Sequence, residues 1–323
     1  YDGLGRLCRT FVRNGTTHKK ELLSSYSYSY GPSAGSNRIR ARDYLSADAA
    51  SFKETNTYHD LLGRPVETVM TAASPAGKDI ALLSEYDDFG RPYRKFCPVP
   101  MTTSTGAYAS FSDIHPEILK FYNWEVYAFS KTLYDDSPLY RPVEEYGPGS
   151  PWHTRGKSVR TSYLVNDGSG LLSCSGYLVE SDTSLTCVGI LPSGNLRVEK
   201  KTDEDGNVSL TFTDKLGRKT LERTVDGERY QDTYYVYDDL GLLRYVLTPE
   251  ASAVMSSSGT FGDSSSPLST QAYVYKYDGK GRCVSKRLPG CAPILYRYDK
   301  GDVPIFSQDG EMRKRGKWMF SFR

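Results

Sequence analysis

The chain has 323 residues and a formal net charge of +2, from 41 Lys and Arg against 39 Asp and Glu, with 26 tyrosines and only six cysteines. This balance excludes the basic footprint of a nucleic-acid-binding domain, and so few cysteines exclude a disulfide-stapled module. No apolar stretch approaches the roughly 20 residues that span a bilayer, whereas abundant tyrosine favours half-buried β-strands.

One short phrase recurs along the chain. It begins as YDGLGR and returns as HDLLGR, YDDFGR, TDKLGR, YDDLGL, YDGKGR and YDKGD. On both sides of the phrase, apolar residues alternate with polar ones, as expected for a β-strand. Leu210 and Phe212 alternate in this way before one copy, and Leu221 does so after it. Each copy is therefore predicted to be the reversal of a β-hairpin, which is a structural role.

The residue types of the phrase suit a tight turn. The Asp carboxylate can accept backbone N–H bonds two residues on, and the Gly can adopt a positive φ. An apolar residue before the Gly is expected to tuck under the turn, and the Arg is expected to pair with the Asp or lie over a Tyr ring. The predicted turn residues are Asp2, Gly5, Arg6, Asp60, Gly63, Arg64, Asp87, Gly90, Arg91, Asp203, Gly206, Asp214, Gly217, Arg218, Asp238, Gly241, Asp278, Gly281 and Arg282.

Three segments follow one another in the sequence. Residues 1–95 hold three phrases and a ladder, SYSYSY, whose tyrosines are predicted to share one face of a strand. Residues 96–200 form an insertion-rich β region with a short helix near 112–122, capped by Ser112, and an irregular loop, SPLYRPVEEYGPGSPWH. Residues 196–323 continue the array as a second β segment.

The second β segment is interrupted by TPEASAVMSSSGTFGDSSSPLSTQ, which is predicted to begin as a helical turn and continue as a mobile loop. The chain starts part-way through a phrase and stops within a strand pattern. We therefore expect a fragment or processed piece of a longer polypeptide.

Several long blocks carry a more specific resemblance: RPVEEYGPGSPWHTRGKSVRTSY, DTYYVYDDLGLLRYVLTPEASA, YKYDGKGRCVSKRLPG and FSQDGEMRKRGKWMFSF. With them the whole chain resembles the RHS/YD-repeat (rearrangement-hotspot, tyrosine–aspartate repeat) proteins. It is similar to the N-terminal, partly uncharacterised region of large bacterial members, which includes a domain of unknown function. The resemblance implies a mainly β fold, in which antiparallel hairpins coil into a spiralling sheet that builds a hollow shell.

The resemblance also implies a function. The chain would be a structural, non-catalytic wall segment in a secreted or surface-exposed bacterial protein, with no cofactor. Its partners would be neighbouring repeats of the same polypeptide and a C-terminal toxin enclosed by the shell, which this sequence lacks. The self-cleaving motif of such shells has no counterpart here. His59 and Thr213 stand where Tyr is usual, Leu242 replaces Arg, and Asp302 is expected in the position of an Arg.

Two other functional classes remain open. Trp124 and Trp152, near the Pro- and Gly-rich loop, could stack on a cell-surface glycan or grip a protein partner, as in an adhesion module. A hydrolase is the weaker alternative: GPSAG places Ser33 in a G-x-S-x-G pattern, but without the preceding buried strand and following helix that a nucleophile elbow needs.

Other chemical patterns are weak. Asp203, Asp205, Asn207 and Asp214 resemble a calcium loop, but Val208 occupies its Gly position, so a hairpin turn is favoured. The histidines, His18, His59, His115 and His153, show no metal-ligand spacing. MRKRGKW is interpreted as a solvated strand-loop and not as a nucleic-acid site. Cys174 with Cys187, or Cys283 with Cys291, could pair across a hairpin, but free buried thiols are favoured.

Overall fold

The computed structural model describes residues 1–13, 15, 19–46, 48–257, 259–264 and 266–321. The chain divides into two compact units, Tyr1–Arg160 and Thr161–Arg323. Both are built mainly from short antiparallel strands joined by hairpin turns, which confirms the predicted fold class. The three-part division of the sequence near residues 95 and 196–200 stays a prediction.

In the first unit, consecutive strands pair in antiparallel order. The strands are β1 (Arg9–Arg13), β2 (Lys20–Ser29), β3 (Arg38–Tyr44), β4 (Phe52–His59), β5 (Pro65–Met70), β6 (Ile80–Tyr86), β7 (Pro92–Phe96), β8 (Val99–Pro100), β9 (Phe129–Tyr134) and β10 (Pro142–Tyr146), followed by β11 (Val159–Val165) across the unit boundary. The short β8 pairs with the start of β6, while β7 pairs with the end of β6 and with β9.

The tyrosine ladder lies on β2, where Tyr26 and Tyr28 share one face and the intervening Ser25 and Ser27 share the other, as predicted. Because each β2 residue faces one residue of β3, Ser25 lies opposite Arg42 and Ser27 opposite Arg40.

A helix covers the core of the first unit. Helix α1 (Phe111–Phe121) buries Ile114 and Ile118 against apolar residues of β6, β7 and β9. The predicted helix is present, but its cap is Ser110 and not Ser112, which lies inside the first turn. Asp113 Oδ2 accepts hydrogen bonds from the Ser110 backbone N–H, at 3.0 Å, and from its hydroxyl, at 2.6 Å. This pairing is a capping box, which sets the start of the helix.

The Pro- and Gly-rich stretch predicted to be irregular is instead ordered. It contains β10, which pairs with β9 and β11, and the short helix α2 (Ser150–Thr154). The prediction was wrong because Pro142 begins the strand and Pro151 lies at the start of the helix, the two places where a missing N–H is tolerated.

The second unit has one long run of antiparallel strands and a small sheet beside it. The long run is β14 (Arg197–Thr202), β15 (Val208–Thr213), β16 (Lys219–Asp226), β17 (Arg229–Tyr237), β18 (Leu243–Leu247), β20 (Ala272–Tyr277), β21 (Cys283–Arg287), β22 (Ile294–Tyr298), β23 (Pro304–Gln308) and β24 (Met319–Phe320). The small sheet is β12 (Ser175–Ser181), β13 (Ser184–Ile190) and β19 (Gly259–Gly262), and the helical segments are a 3₁₀ turn (Gly170–Leu172), α3 (Pro249–Val254), α4 (Leu268–Gln271) and α5 (Gly310–Lys314).

The segment predicted to be a mobile loop between β18 and β20 is part of the core. Its α3, β19 and α4 cover the sheet face, and Met255 and Leu268 are fully buried. Strand β19 pairs with β13 over Ser184–Cys187, which adds the third strand of the small sheet. The Ser- and Gly-rich composition concealed the apolar residues that pack this segment into the core, which include Ala251, Phe261, Met255 and Leu268.

The six cysteines are free. Cys174 and Cys187 are buried in the core of the second unit, as expected, and burial raises the pKa of the Cys174 thiol to about 12. Cys291 is exposed, so the expectation of buried thiols was wrong for this residue, which lies in a turn between β21 and β22.

Candidate functional site

The repeated phrase folds into one turn geometry, seen at Asp214. The Asp214 N–H donates to the Arg218 carbonyl at 2.9 Å, and the Gly217 N–H returns to the Asp214 carbonyl at 3.0 Å. Asp214 Oδ1 accepts from the backbone N–H groups of Leu216 and Arg218, both at 2.9 Å. Its Oδ2 accepts from Arg218 Nε at 2.7 Å, and Gly217 has a φ of 81°. The same bonds close the turns that begin at Asp2, Asp60, Asp87 and Asp278.

These donors stabilise the ionised carboxylates. The Arg6 side chain, together with its backbone N–H, lowers the pKa of Asp2 to about 2. At Asp214, burial opposes ionisation, but the backbone and side-chain bonds from Arg218 outweigh it and hold the pKa below its ordinary value. The carboxylates of Asp2 and Asp214 are therefore charged near neutral pH and act as acceptors only.

The arginine of the turn also contacts a tyrosine of the next hairpin. The Arg64 guanidinium carbon lies 4.6 Å from the centroid of the Tyr86 ring, and the Tyr86 hydroxyl donates to the Pro65 carbonyl at 2.8 Å. Tyr86 precedes the Asp of the following phrase, so one phrase holds the tyrosine of the next. The same two contacts join Arg6 to Tyr28 (4.4 and 2.9 Å), Arg91 to Tyr134 (4.8 and 2.7 Å), Arg218 to Tyr237 (4.9 and 3.1 Å) and Arg282 to Tyr298 (4.9 and 2.7 Å).

The arginine reaches the glycine position of the next turn as well. A Cβ placed at Gly90, whose φ is 79°, would lie 2.9 Å from Arg64 Nη1, and one at Gly241 would lie 3.4 Å from Arg218 Nη1. Glycine suits these positions because of their positive φ, and a Cβ at Gly90 would also displace the end of the Arg64 side chain. We call this set of contacts from Arg to the next Tyr and the next Gly position the turn interlock.

One turn keeps the interlock without its arginine. Leu242 occupies the Arg position after Asp238, and Arg244 reaches back to Asp238 Oδ2 at 3.4 Å. The same guanidinium donates to Asp182 Oδ1 at 2.8 Å, which ties the β12–β13 hairpin to this turn. The Tyr277 hydroxyl still donates to the Leu243 carbonyl, at 2.9 Å. Arg244 was missed in the sequence because it lies two residues beyond the expected position.

The structure of the YDKGD turn shows that Asp302 is not at the Arg position expected from the sequence. Asp302 occupies the Gly position, with a φ of 62°, and Val303 occupies the Arg position, since the Val303 N–H donates to Asp299 Oδ1 at 2.9 Å. Asp302 instead forms an ion pair with Arg282 Nη1 at 2.5 Å, so the preceding arginine again contacts the Gly position.

Two further turns escaped the sequence pattern. The loop from Asp135 to Arg141 is two residues longer, yet Arg141 Nε donates to Asp135 Oδ2 at 2.7 Å and Tyr140 takes the positive-φ position at 52°. In the turn from Ser74 to Lys78 a hydroxyl replaces the carboxylate: Ser74 Oγ accepts the Lys78 N–H at 2.8 Å. Each turn had a recognisable sequence pattern. The first begins with Tyr-Asp and ends with Arg141, and the second begins with Ser74 and ends with Lys78.

The Asp203 turn closes a hairpin with the same hydrogen bonds as the repeated phrase. Asp203 Oδ1 accepts the N–H groups of Asp205, at 3.0 Å, and Asn207, at 2.8 Å, and the Asn207 amide replaces the arginine on Oδ2 at 2.8 Å. In the part of the chain that the structure describes, no group of three His, Cys, Asp or Glu side chains is placed to hold a metal ion. His18 lies outside the described residues.

The apolar residues before the turn glycines are exposed and do not tuck under the turns. Leu62 is 78% exposed and Leu216 is 77% exposed. Leu4, Phe89 and Leu240 are exposed in the same way.

The remaining sequence candidates lie apart from these turns. Trp124 is 72% exposed, whereas Trp152 is half-buried on α2 with Lys157 Nζ 5.4 Å from its ring. Ser33 sits in an exposed bend with no strand before it and no helix after it of the kind an elbow needs. The basic run predicted to be a strand-loop begins in helix α5, where Asp309 caps the helix by accepting the Met312 N–H at 2.7 Å. Among the described residues no helix has the length and apolarity needed to cross a membrane.

Comparison with known proteins gives a partial family match and a fold. Residues 34–165 match the model of a protein family described as a domain of unknown function, DUF6443. No curated protein sequence matches the chain significantly.

Solved structures match over most of the chain. The crystal structure of TcdB2-TccC3 matches 92% of this chain and 14% of its own, at 12% identity and a TM-score of 0.55. The crystal structure of TcdB2-TccC3-Cdc42 matches 86% and 12%, at 13% identity and a TM-score of 0.54. The Photorhabdus luminescens Tc holotoxin pore, carrying a TccC3 mutation, matches 87% and 12%, at 12% identity and a TM-score of 0.54. The chain therefore shares the fold of a segment of these much longer chains, of which it spans 12% to 14%.

Proposed function

We propose that the chain is a wall segment of an RHS-type β shell in a large toxin-related protein. The turn interlock is the observation that carries this proposal, because within each unit it holds successive hairpins together through contacts between side chains and backbone that need no ligand. A wall must hold its shape over many hairpins, and an interlock that recurs at five turns, those of Arg6, Arg64, Arg91, Arg218 and Arg282, does this. The fold shared with TcdB2-TccC3 over 92% of the chain supports the same function.

The proposal extends to the partners. The neighbours of this segment are further repeats of the same polypeptide, and the shell encloses a C-terminal toxin. The segment is non-catalytic: the Asp and Arg of the repeated phrase pair with each other within their turns, and Ser33, the residue of the hydrolase alternative, lies in an exposed bend. The parent protein is secreted or displayed at the cell surface.

Limited proteolysis of the parent protein tests the proposal. If the repeats enclose a payload, the region downstream of this segment resists digestion in the intact protein. A Tyr86→Ala exchange, which removes one interlock ring, should open the wall and expose that region, whereas Arg197→Gln on an exposed position of β14 should leave it protected. Free digestion of the downstream region in the unaltered protein would refute enclosure.

A binding module remains the second candidate, and one observation favours it. Trp124 is 72% exposed and held at a φ of 62°, an unusual conformation for a large residue. An exposed indole can stack on a sugar ring. Retention on a polysaccharide matrix that is lost with Trp124→Ala would establish this function, and unchanged elution of the variant and the unaltered protein would remove it.

A further inference from the structure

The first unit carries a row of arginines that no turn uses. Arg38, Arg40 and Arg42 alternate along β3 and therefore point to the same face of the sheet. The register places Ser27 opposite Arg40 and Ser25 opposite Arg42 on β2. Alternate residues of a strand are about 6.8 Å apart, so the row presents positive charge at this spacing.

A concave pocket of about 340 Å³ opens at this row. It is lined by Arg9, Arg40 and Arg42 together with the Ser25 and Ser27 strand segment. Arg9 joins the row because it lies opposite Ser25 in the β1–β2 pairing, on the same face as Arg42. Hydroxyl donors and guanidiniums thus converge on one concavity, which suits an anion.

The row is only partly neutralised. Glu54 pairs with Arg42, with Nε 2.7 Å from Oε2, and lies 3.8 Å from Arg40 Nε. Glu54 is thus shared by Arg40 and Arg42, while Arg9 and Arg38 form no ion pair with the described residues. The side chains of Arg40 and Arg42 are 33% and 36% exposed, so their guanidiniums remain accessible from solvent.

The spacing favours a peptide ligand. An extended peptide with a carboxylate on every second residue repeats its charges at the same interval of about 6.8 Å. A nucleic-acid strand also carries regular charge, but it binds through aromatic stacking platforms beside the phosphates. Here the Phe52 ring is already covered by the Arg42 guanidinium, 4.6 Å away, and by Tyr44, whose ring centroid is 5.8 Å away.

We propose that the β3 arginine row is a binding site for an extended acidic peptide segment, which lies along β3 and pairs alternate Asp or Glu side chains with Arg38, Arg40 and Arg42. The site is independent of the shell function, because it uses none of the interlock residues. It holds the peptide by charge-assisted hydrogen bonds, so binding weakens as salt is added.

Fluorescence anisotropy with the whole chain tests this site. The probe is a labelled ten-residue peptide in which Glu alternates with Thr, and its control has Gln in place of Glu. Binding of the Glu peptide should weaken about fivefold with Arg40→Gln, recover with Arg40→Lys, and stay unchanged with Arg197→Gln. Circular dichroism checks that each variant is folded.

The wild-type chain supplies a second readout that needs no variant. The Glu peptide should dissociate as NaCl rises from 20 mM to 500 mM, and the Gln peptide should not bind. Equal binding of the two peptides, or unaltered affinity in Arg40→Gln, would overturn the proposal. Tighter binding of an oligothymidylate than of the Glu peptide would also overturn it, since the row would then be a phosphate site.

Discussion

The Arg282 guanidinium and the Tyr298 ring form the last interlock of the second unit: the guanidinium carbon lies 4.9 Å from the ring centroid, and the Tyr298 hydroxyl donates to the Cys283 carbonyl at 2.7 Å. The tyrosine therefore makes two contacts with the preceding hairpin, one through its ring face and one through its hydroxyl. The two can be separated by substitution.

Removing only the hydroxyl should weaken the interlock. In Tyr298→Phe the ring stays over Arg282, but the Cys283 carbonyl loses its donor, at a cost of about 1 kcal/mol in the free energy of unfolding. Chemical denaturation measures the change. Tyr273→Phe is the matched control, because the Tyr273 hydroxyl makes no hydrogen bond to the described residues. Equal effects of the two exchanges would show that the hydroxyl bond contributes nothing.

Substitution of the turn glycines should destabilise the protein, because a residue with a side chain fits poorly at their positive φ. Gly217 has a φ of 81° and open space around its Cα, so Gly217→Ala introduces strain but no clash and should cost about 1 kcal/mol, with Gly217→Val costing more. Thermal melting monitored by circular dichroism checks this order. Gly3→Ala, in a turn position with equal space and without a positive φ, should be nearly neutral. A Gly217→Val protein with an unchanged melting temperature would contradict the turn assignment.

An exposed leucine within one turn and a buried leucine just after it should differ sharply in how much their replacement by alanine lowers the free energy of unfolding. Leu216 is 77% exposed, so Leu216→Ala should change the free energy of unfolding by less than about 0.5 kcal/mol. Leu221, three residues after the turn, is fully buried, so Leu221→Ala should cost about 2–5 kcal/mol. Urea titration of both variants compares them. A loss of more than about 1 kcal/mol of unfolding free energy in Leu216→Ala would contradict its exposure and indicate that this side chain packs beneath the turn.

A buried carboxyl makes the first unit sensitive to alkali. Glu67 is 2% exposed and accepts only weak bonds from the Ala109 N–H, at 3.2 and 3.3 Å, so burial raises its pKa from 4.5 to about 8. The neutral form is the stable one. The stabilisation is therefore fully present below about pH 4.5 and is lost as the pH rises through about 8, by up to about 5 kcal/mol.

Glu67→Gln keeps an acceptor for Ala109 and removes the titration. Hydrogen exchange of the Ala109 amide should accelerate between pH 6 and pH 9 in the wild-type protein beyond the intrinsic base-catalysed increase, and the variant should show only that increase. Identical profiles would mean that Glu67 does not ionise in this range.

Local turn chemistry was the most predictable part of the molecule. Asp, Gly and Arg act within five consecutive residues, so the phrase contains nearly all the information that its turn requires. The alternation around Leu210, Phe212 and Leu221 likewise predicts the buried face, because strand side chains have a strict period of two.

Contacts between distant residues were not predictable in the same way. Arg244 ties together Asp182 and Asp238, which lie 62 and 6 residues away along the chain. No local pattern specifies such a pairing. The segment around Met255 and Leu268 was misread for a related reason: its composition is that of a loop, and a few widely spaced apolar side chains anchor it to the core.

Electron cryo-microscopy of the parent protein tests the wall function most directly. If the chain is a wall segment, these residues appear as consecutive hairpins within the boundary of a closed cavity, with density for a downstream segment inside it. A map in which this segment stands free, with solvent on both faces of its sheet and no enclosed density, would contradict the account.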